Sequence, residues 1–443
     1  MLPATAGRTL DPPLWLTHAA CVGFRAGLLR EHDFRQLFVA DAVSQLGIQV
    51  SLMALPLVAV LALQADQFEV GLLAACETAA FLFIGLPAGA WVDRWRRRGV
   101  LIAGDLVRAL VLITVPLAWW GGWLTMPQLY AVALLIGVGT VFFDVAYQSY
   151  LPHLVRPDQV IEGNSRLEAV RSVNWVAGPA AGGLLVQWLT APYALVVNCV
   201  TYLVSALFVV RIRRREPLPV PSPGASLRRE IVEGLRFVIG HRLLRATASC
   251  TSLANFFGAM TTVMQVILLA RVLELAPGAI GVFLSVVSAG AVLGAVAVRP
   301  IVARLGQGPT IWMAMAFSAP FGLLLPLAER GWLLWLAAAG SAVSWFGSVV
   351  YNITQLSFRQ LLTPPRLLGR MNATMRFLVW GSMPVGSIVA GVLGQHLGVR
   401  PVLWIAAIGQ MLVFLPTFLS PLRHMRVLPT AASDSPAKEL STA

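Results

Sequence analysis

Residues 89–98 read Gly-Ala-Trp-Val-Asp-Arg-Trp-Arg-Arg-Arg, and this short charged stretch separates two long apolar segments. Each flanking segment has about 20 residues of mostly apolar character, the length that an α-helix needs to cross a bilayer. Four arginines between two such segments are typical of a loop on the cytoplasmic side of a membrane. The stretch therefore predicts two membrane-spanning helices joined by a cytoplasmic loop.

The same alternation of apolar segments and short polar loops continues along most of the 443 residues. Apolar residues make up 57% of the chain and charged residues only 12%, about half the charged share of a soluble domain. Lipid rather than water is therefore expected to cover most of the surface. We predict an all-α membrane protein with twelve transmembrane helices. The predicted spans are 36–62, 68–92, 99–120, 126–147, 166–188, 192–211, 246–270, 277–300, 309–328, 331–353, 371–396 and 400–420.

The basic residues assign a side to each loop of this layout. Of the 33 arginines and lysines, 29 fall on the side of the 89–98 loop, three fall on the opposite side, and Arg108 lies within span three. Because positive loops stay in the cytoplasm, we expect a multi-pass protein with both termini cytoplasmic. A net charge of +13 also suits a nucleic-acid binder, but there the basic residues would cluster on a soluble domain. No nucleic-acid partner is therefore expected.

The chain divides into two similar halves around a central polar segment. Five residues of the first half recur at an offset of 208, namely Leu154, Pro157, Asn164, Gly178 and Gly183 against Leu362, Pro365, Asn372, Gly386 and Gly391. Such a repeat indicates two pseudo-symmetric six-helix bundles. The predicted domains are a cytoplasmic N-terminal tail at 1–34, bundles at 35–211 and 246–420, a cytoplasmic linker at 212–245, and a flexible cytoplasmic C-terminal tail at 421–443. Within the linker, residues 226–245 predict a basic amphipathic helix at the membrane interface.

The 89–98 loop is also a candidate gating element. Asp93 stands among four arginines at the membrane face, where an acid can pair with arginine or with the positive end of a helix from the other half. Such a contact would hold one gating state shut. The arginines by themselves, without Asp93, are explained equally well by the usual excess of positive charge next to the cytoplasmic ends of membrane spans.

Two motifs resemble those of a known transporter family, the major facilitator superfamily. Gly89, Asp93, Arg94, Arg97 and Arg98 resemble its signature between spans two and three, although that signature usually has glycine where Arg96 stands. In span five, Gly178-Pro179-Ala-Ala-Gly182-Gly183 resembles the core of its antiporter motif, with Asn174 in place of an earlier glycine. The details Asp105-Leu-Val-Arg108 and Phe142-Phe143-Asp144 look like the bacterial branch that contains enterobactin exporters and macrolide-type efflux proteins.

The resemblance covers nearly all of residues 34–420 and implies both a fold and a function. It implies the major facilitator fold in a bacterial cell membrane and proton-coupled export of a small amphipathic molecule, such as a drug, antibiotic or siderophore. The proton gradient would supply the energy, and no cofactor is expected. An importer or uniporter on the same fold remains the alternative.

The span-five motif has a physical interpretation of its own. Pro179 removes a backbone donor and bends the helix, and Gly178, Gly182 and Gly183 allow a neighbouring helix to approach closely. A bent and tightly packed helix is able to tilt as the two halves rock. A passive packing kink is the other interpretation.

Ionisable residues inside the predicted spans are candidates for coupling, because burying a charge in a membrane is costly. Glu77 lies mid-span among alanines and suits a proton carrier, or a structural carboxyl. Asp41 either faces a cavity or lies at the interface. Asp105 and Arg108 are three residues apart on one helical face and are interpreted as a structural clamp. Asp144 and Arg171, at the inner ends of spans four and five, are interpreted as gating or structural contacts.

Uncharged polar and aromatic residues inside the predicted spans are candidates for lining a substrate cavity. They are Gln45, Asn255, Gln265, Tyr351 and Trp380. The histidines are scattered and no glycine-rich loop precedes a lysine, so we expect no metal site, no enzyme activity and no ATP-driven pumping. The expected partners are a small-molecule substrate and the lipid bilayer, with a monomer as the expected state.

Overall fold

The computed structural model describes residues 27–92, 94–156, 159–214, 216, 227–364 and 367–425, and these residues form helices without any strand. Five sequence predictions lie partly or wholly outside the described residues. They concern Asp93, the repeated prolines Pro157 and Pro365, the tail before residue 27, the proline segment 217–226 and the tail after residue 425.

The helices follow one another along the chain in two sets, separated by a linker helix. The first set is α1 (Gly27–Arg30), α2 (His32–Leu57), α3 (Gln67–Phe83), α4 (Gly85–Val92), α5 (Arg97–Trp120), α6 (Met126–Leu154), α7 (Val160–Leu189) and α8 (Ala191–Val210). The linker helix is α9 (Leu227–Gly240). The second set is α10 (Arg242–Ile267), α11 (Pro277–Leu305), α12 (Gln307–Ser318), α13 (Trp332–Leu362), α14 (Leu368–Leu397), α15 (Val399–Leu412) and α16 (Leu415–Phe418).

Nine helices within the described ranges are long and apolar enough to cross a membrane. Helices are also present at the remaining three predicted spans, two, five and nine, but each departs from an uninterrupted apolar segment. Span two breaks between α3 and α4 at Ile84, span nine passes into a 3₁₀ turn at Ala319–Leu324, and α7 carries charged residues over its first turns. The all-α membrane fold is therefore confirmed, while the count of twelve spans stays a prediction supported at nine positions.

Several helices extend beyond the predicted spans at their polar ends. The first span begins at His32 rather than residue 36, and α10 begins at Arg242 rather than residue 246. The amphipathic linker helix consequently ends at Gly240 instead of reaching residue 245. Hydropathy locates only the part of a helix that lipid covers, whereas backbone hydrogen bonding continues into the aqueous turns.

The two halves repeat each other in backbone detail. Helix α2 passes into a π-helical turn at Val58–Ala62, and α10 does the same 210 residues later at Leu268–Val272. The same offset relates Gln64 and Glu274, which both have positive φ angles. Since these features depend on the course of the chain and not on residue identity, they support two related bundles.

The buried apolar residues in the described ranges form one cluster shared by both halves and three clusters that each belong to one half, of which the smallest is Ala80, Ala88 and Val141 in the first half. The shared cluster contains residues such as Val58 and Leu268 near the predicted outer ends of the helices. The second cluster lies within the first half, from Leu28 to Ile212. The third lies within residues 238–425. The halves are thus joined through a common core toward the predicted outer side and have separate cores toward the inner side.

Candidate functional site

Two helix crossings bring the halves into backbone contact toward the predicted outer side. Helix α3 crosses α14 where a Cβ atom on Gly71 would lie 2.9 Å from the Cα atom of Gly391. Helix α7 crosses α11 where a Cβ atom on Gly183 would lie 2.9 Å from the Cα atom of Gly281. Real Cβ atoms do not come so close, so glycine is required on these faces for the halves to approach this far.

The structure divides the span-five glycines between two neighbouring helices. Gly178 and Gly182 face α2, where a Cβ on Gly178 would collide with the side chain of Gln49. Gly183 faces α11 of the second half. The single small-residue face expected from the sequence is therefore two faces, one within the first half and one between the halves.

Helix α7 continues through Pro179 and makes polar contacts with its neighbours on both sides. The backbone N–H of Ala180 donates to Ser285 Oγ of α11 at 3.0 Å. Asn174 stands where the antiporter motif usually has glycine, and its Nδ2 donates to the Ala42 carbonyl of α2 at 3.4 Å. The motif segment is thus held to the rest of its own bundle and to the opposite bundle at once.

Hydrogen bonds between the halves lie on the same side as the shared core. Besides the Ala180 bond, three more join the halves among the described residues. They run from Gly278 N to Gln187 Oε1 at 3.1 Å, from Arg271 Nη2 to the Val60 carbonyl at 3.0 Å, and from Gln395 Nε2 to Asp66 Oδ2 at 3.0 Å. These bonds join the ends of the two bundles on the predicted outer side.

Asp41 is the more deeply buried of the two predicted coupling acids. Its exposed fraction is 1%, and its Oδ1 atom lies 3.9 Å from Nη2 of Arg171 on α7 and 3.4 Å from Nε2 of Gln45. The Oδ2 atom is buried without a hydrogen-bond partner in the described part of the chain. The guanidinium of Arg171 also lies over the ring of Tyr147, 5.0 Å from its centre. Asp41 therefore belongs to a polar cluster inside the bundle rather than to the membrane interface.

A cavity of about 600 Å³ opens beside this cluster. It lies between the inner parts of α6 and α7, with Tyr147 and Arg171 in its wall next to Asn164 and Glu168. Because the Arg171 side chain is 32% exposed while that of Asp41 is 1% exposed, Arg171 connects the buried carboxylate to the cavity. A solute in the cavity is thus able to act on Asp41 through Arg171.

Asp144 on α6 interacts electrostatically with arginines from both halves of the molecule. The guanidinium groups of Arg108 and Arg171 act on its carboxylate from the first half, and that of Arg376 acts on it from α14 in the second half. Arg376 in turn lies near the ring of Trp380, 6.0 Å from its centre. The opposite charges of Asp144 and Arg376 thus attract each other across the boundary between the bundles, without forming an ion pair among the described residues.

Asp105 and Arg108 form an ion pair that is fully enclosed in the first bundle. Both side chains are 0% exposed, and Arg108 Nη2 donates to Asp105 Oδ1 at 2.5 Å. The guanidinium is sandwiched between the rings of Phe143 and Tyr202, at 4.3 and 4.5 Å from their centres. This geometry joins α5, α6 and α8, as a structural clamp would.

Glu77 lies in the middle of α3, as the sequence predicts. No hydrogen bond or ion pair holds its carboxylate among the described residues. The backbone carbonyl of Glu77 lies against α6, where a Cβ on Gly137 would be 2.7 Å from it. The structure places Glu77 and Asp41 on different helices without a direct contact between them.

The arginines of the 89–98 loop bind the end of the first half. Arg97 Nη1 donates to Glu216 Oε1 at 2.8 Å, and the Arg98 guanidinium donates to the carbonyls of Val209 and Val210 at the end of α8. Arg94 is exposed. Gly89 lies in α4, and Asp93 lies outside the described residues, so its predicted latch stays a prediction.

The five predicted cavity residues occupy different surroundings. Gln45 lies beside Asp41, Asn255 donates to the Val379 carbonyl at 2.9 Å within the second half, and Gln265 is half-buried on the same helix as Asn255. The ring of Trp380 packs against that of Phe81 of the first half, with ring centres 4.4 Å apart.

Tyr351 is enclosed within the second bundle. Only 1% of it is exposed, and its hydroxyl bonds with Thr251 Oγ1 at 2.7 Å and donates to the Thr247 carbonyl at 3.2 Å. The tyrosine hydroxyl is thus bonded to α10 inside the second bundle, and its role at a cavity stays a prediction.

Sequence reasoning missed two pairings at the site. Glu216 was not singled out because its partner Arg97 is 119 residues away, and Arg171 was interpreted only as a gating or structural contact. The signal available for Glu216 was a lone acid after four arginines of 211–215. No local signal connects Arg171 to Asp41, since 130 residues separate them.

Comparison with known proteins places this geometry in a family. A 26% identical relative over 294 residues is the uncharacterised MFS-type transporter y4rN of Sinorhizobium fredii, a match that covers 65% of this chain and 71% of the relative. The multidrug efflux pump Tap of Mycolicibacterium fortuitum is 27% identical over 376 residues, 79% of this chain and 87% of the relative.

Solved structures of transporters share the fold. A mutant of the nucleoside transporter NupG has a TM-score of 0.74 at 13% identity, covering 87% of this chain and 99% of that one. A bacterial homologue of the iron transporter ferroportin, at 15% identity, has a TM-score of 0.72 in its inward-facing state and 0.60 in its outward-facing state. The inward-facing figure refers to 88% of this chain and 98% of that one, and the outward-facing figure to 87% and 98%.

A family model described as transmembrane secretion effector matches residues 26–443. The resemblance found in the sequence is thereby confirmed, and so is the major facilitator fold. The chain belongs to the transmembrane secretion effector family, a family of multi-pass membrane transporters of the major facilitator superfamily.

Proposed function

We propose that this transporter exports a small amphipathic molecule across a bacterial cell membrane by alternating access, driven by the proton gradient. The observation that carries the proposal is the arrangement of the buried cores, which are shared between the halves on one side and separate on the other. Such an arrangement is that of a transporter closed to the outside, in which the inner ends are free to approach. The name of the relative Tap, a multidrug efflux pump, supports export as the direction.

The movement would pivot on the glycine crossings between the bundles. Gly71 against Gly391 and Gly183 against Gly281 provide smooth backbone surfaces on which the halves tilt. Opening to the outside would break the outer hydrogen bonds and bring the inner ends together. Asp144 and Arg376 carry opposite charges on the two sides of that inner boundary, so their attraction would favour closure there.

Proton coupling would act through Asp41 and Arg171. When Asp41 takes up a proton, it loses its attraction for Arg171, and the guanidinium is left to Asp144 and the cavity. Because Asp144 also faces Arg376, this exchange changes the attraction between the two halves. Proton binding from outside and release to the cytoplasm would thus bias the conformational cycle in the direction of export. Glu77 is the second candidate for the same role.

The test measures substrate movement in inside-out membrane vesicles with and without an imposed pH gradient. The probes are a lipophilic cationic dye, a macrolide and a catechol siderophore, since each represents one class of amphipathic cargo. We expect at least one probe to accumulate in a gradient-dependent way. Asp41→Asn or Glu77→Gln should abolish the gradient-driven accumulation. Glu274→Gln is the matched control, because its carboxylate is 75% exposed on the opposite side.

Two results would overturn parts of this proposal. Equal accumulation with and without the pH gradient would contradict proton coupling. Net uptake of the same probes by intact cells carrying the protein would replace export with import, the alternative direction.

The proposed partners of the transporter are its cargo, protons and lipid alone. We propose a monomer that needs no cofactor and has both termini in the cytoplasm.

A further inference from the structure

We propose that an anionic phospholipid binds in a groove on the lipid-facing side of the first bundle, with its headgroup on Arg96. The groove has a volume of about 500 Å³ and lies between α5 and α6 at their inner ends. All its lining residues come from these two helices and the loop just before α5. Val107 and Leu135 in its walls, and Leu110 one turn further along α5, are exposed, so the groove opens to the surface of the bundle that lipid covers.

The shape of the groove suits an acyl chain. Its floor is made of small residues, including Ala103, Gly104 and Gly139, and its walls include Leu135 and Val107, each 47% exposed. The lining from Gly99 to Val107 rises about 12 Å along α5, which accommodates about ten methylene groups. Surface residues of a membrane protein at this depth contact lipid tails, so apolar lining without a protein partner is filled by lipid.

The floor of the groove is rigid because of the enclosed ion pair behind it. A Cβ on Gly139 would lie 2.8 Å from Cγ of Arg108, and Arg108 is fixed by Asp105 and two aromatic rings. The glycines on α5 and α6 therefore cannot close the groove by moving together. A permanent groove binds a specific lipid more tightly than a surface that must first open.

The mouth of the groove is positively charged. Arg96 lines it and is exposed, and among the described residues no acid or carbonyl takes its guanidinium. Its neighbours differ, because Arg97 and Arg98 are occupied by Glu216 and by the end of α8. Arg96 is also the N-cap of α5, so the positive end of a 24-residue helix lies at the same place.

The remaining mouth residue has the properties of an interfacial anchor. Trp95 is 51% exposed, and its ring lies 6.0 Å from that of Phe142 in the groove wall. Tryptophan favours the level of lipid headgroups, which sets the depth of the mouth in the membrane. An apolar groove ending in a free arginine at headgroup level matches a phospholipid with a net negative charge.

This site is a feature of this chain rather than of its superfamily signature. The signature usually has glycine at the position of Arg96, which leaves no side chain for a headgroup. The proposal does not depend on the direction of transport or on proton coupling. It predicts that lipid charge affects binding at one saturable position.

The experiment uses native mass spectrometry of the full-length protein in detergent, titrated with phosphatidylglycerol or with phosphatidylcholine of the same acyl chains. We expect the first phosphatidylglycerol to bind about fivefold more tightly than phosphatidylcholine. Arg96→Gln should abolish this preference by removing the charge. Ala103→Phe should weaken the binding of both lipids by filling the groove.

Two variants serve as controls for these changes. Arg35→Gln removes another exposed arginine near the inner end of a helix, and Leu106→Phe adds a ring on the lipid-facing side of α5 outside the groove lining. Both should bind as the unaltered protein does. Equal affinity for the two lipids, or equal binding by the groove variants and the controls, would overturn the proposal. If Arg96→Gln does not fold, Ala103→Phe against Leu106→Phe decides the outcome.

Discussion

Arg108 and Asp105 are opposite charges inside a membrane-spanning bundle, and neither is exposed to lipid or water. Their guanidinium and carboxylate pair inside the first bundle, and two aromatic rings cover the cation. Asp41 and Arg171 differ, because their contact is longer and Arg171 reaches a cavity. The tight Asp105–Arg108 pair is suited to a structural role. The looser Asp41–Arg171 pair is suited to gaining and losing a proton, which is the role proposed for it in coupling.

The tight pair makes a prediction about stability. Asp105→Leu should lower the free energy of unfolding by about 3 kcal/mol, because it leaves the Arg108 charge buried without its partner. Asp105→Leu combined with Arg108→Met should recover most of that loss, since both charges are then absent. Unfolding in mixed detergent micelles measures the difference. Removing the exposed pair of Arg330 and Glu274 is the control, and its effect should be small. Equal destabilisation by the single and double variants would show that charge pairing is not the cause.

Helix α7 combines two functions in one element. One set of glycines packs it on α2 of its own bundle, and Gly183 packs it on α11 of the other bundle. Its inner end carries Arg171 in the cavity wall. A tilt of this helix would therefore change the inter-bundle crossing and the Asp41 contact together, so the motif would act directly on the proposed proton coupling.

The crossing of α7 and α11 makes a prediction at the scale of the element. Gly183→Ala should open the outer side, because its Cβ would collide with the Pro277 carbonyl, an overpacking that costs about 1–3 kcal/mol. A reporter, Gln187→Cys in a background without the native cysteines, should then react faster with a membrane-impermeant thiol reagent.

Gly258→Ala is the matched control for that measurement. Its Cβ would meet only Gln410 Nε2, at an ordinary distance of 3.6 Å. Labelling in this variant should match the unaltered background. Unchanged labelling in Gly183→Ala would contradict the view that this crossing closes the outer side.

The whole molecule consists of two bundles that share an apolar core only toward one side. All four hydrogen bonds between the bundles among the described residues lie on that side. On the other side, Arg97 bonds to Glu216 and Arg370 bonds to Glu233, and both of these ion pairs join a bundle to the linker. Separation of the bundles on the shared side is the main structural change that a transport cycle requires.

A crosslink across that side tests the requirement. Asp66→Cys and Gln395→Cys replace two side chains whose polar ends meet at 3.0 Å, so a short bifunctional methanethiosulfonate should join the two thiols in a background without the native cysteines. Transport should stop when the crosslink forms and return when its disulfides are reduced. Each single cysteine variant is the control, and its transport should be insensitive to the reagent. Full transport by the crosslinked protein would mean that the outer ends do not separate.

Particular residues show how far sequence reasoning reached. The positions of Glu77 and Asp41 within helices, and the pairing of Asp105 with Arg108, followed from spacing along one helix. The partners of Arg97 and Asp41 did not, because Glu216 and Arg171 are more than 100 residues away from them. The burial of Tyr351 against α10 did not follow from the sequence either, because hydropathy does not distinguish a helix face that packs on a neighbour from one that lines a cleft.

By itself the sequence determined the all-helical membrane fold, the two related halves and the transporter family. Hydropathy, the side of the arginines and the 208-residue repeat are properties of residue order, and the bilayer imposes helices on any chain that has them. Only the tertiary structure decided which bundle each glycine of α7 faces, which arginine contacts Asp41, and on which side the cores merge. Those contacts depend on how the packed bundles are rotated against each other, and residue order alone does not specify that angle.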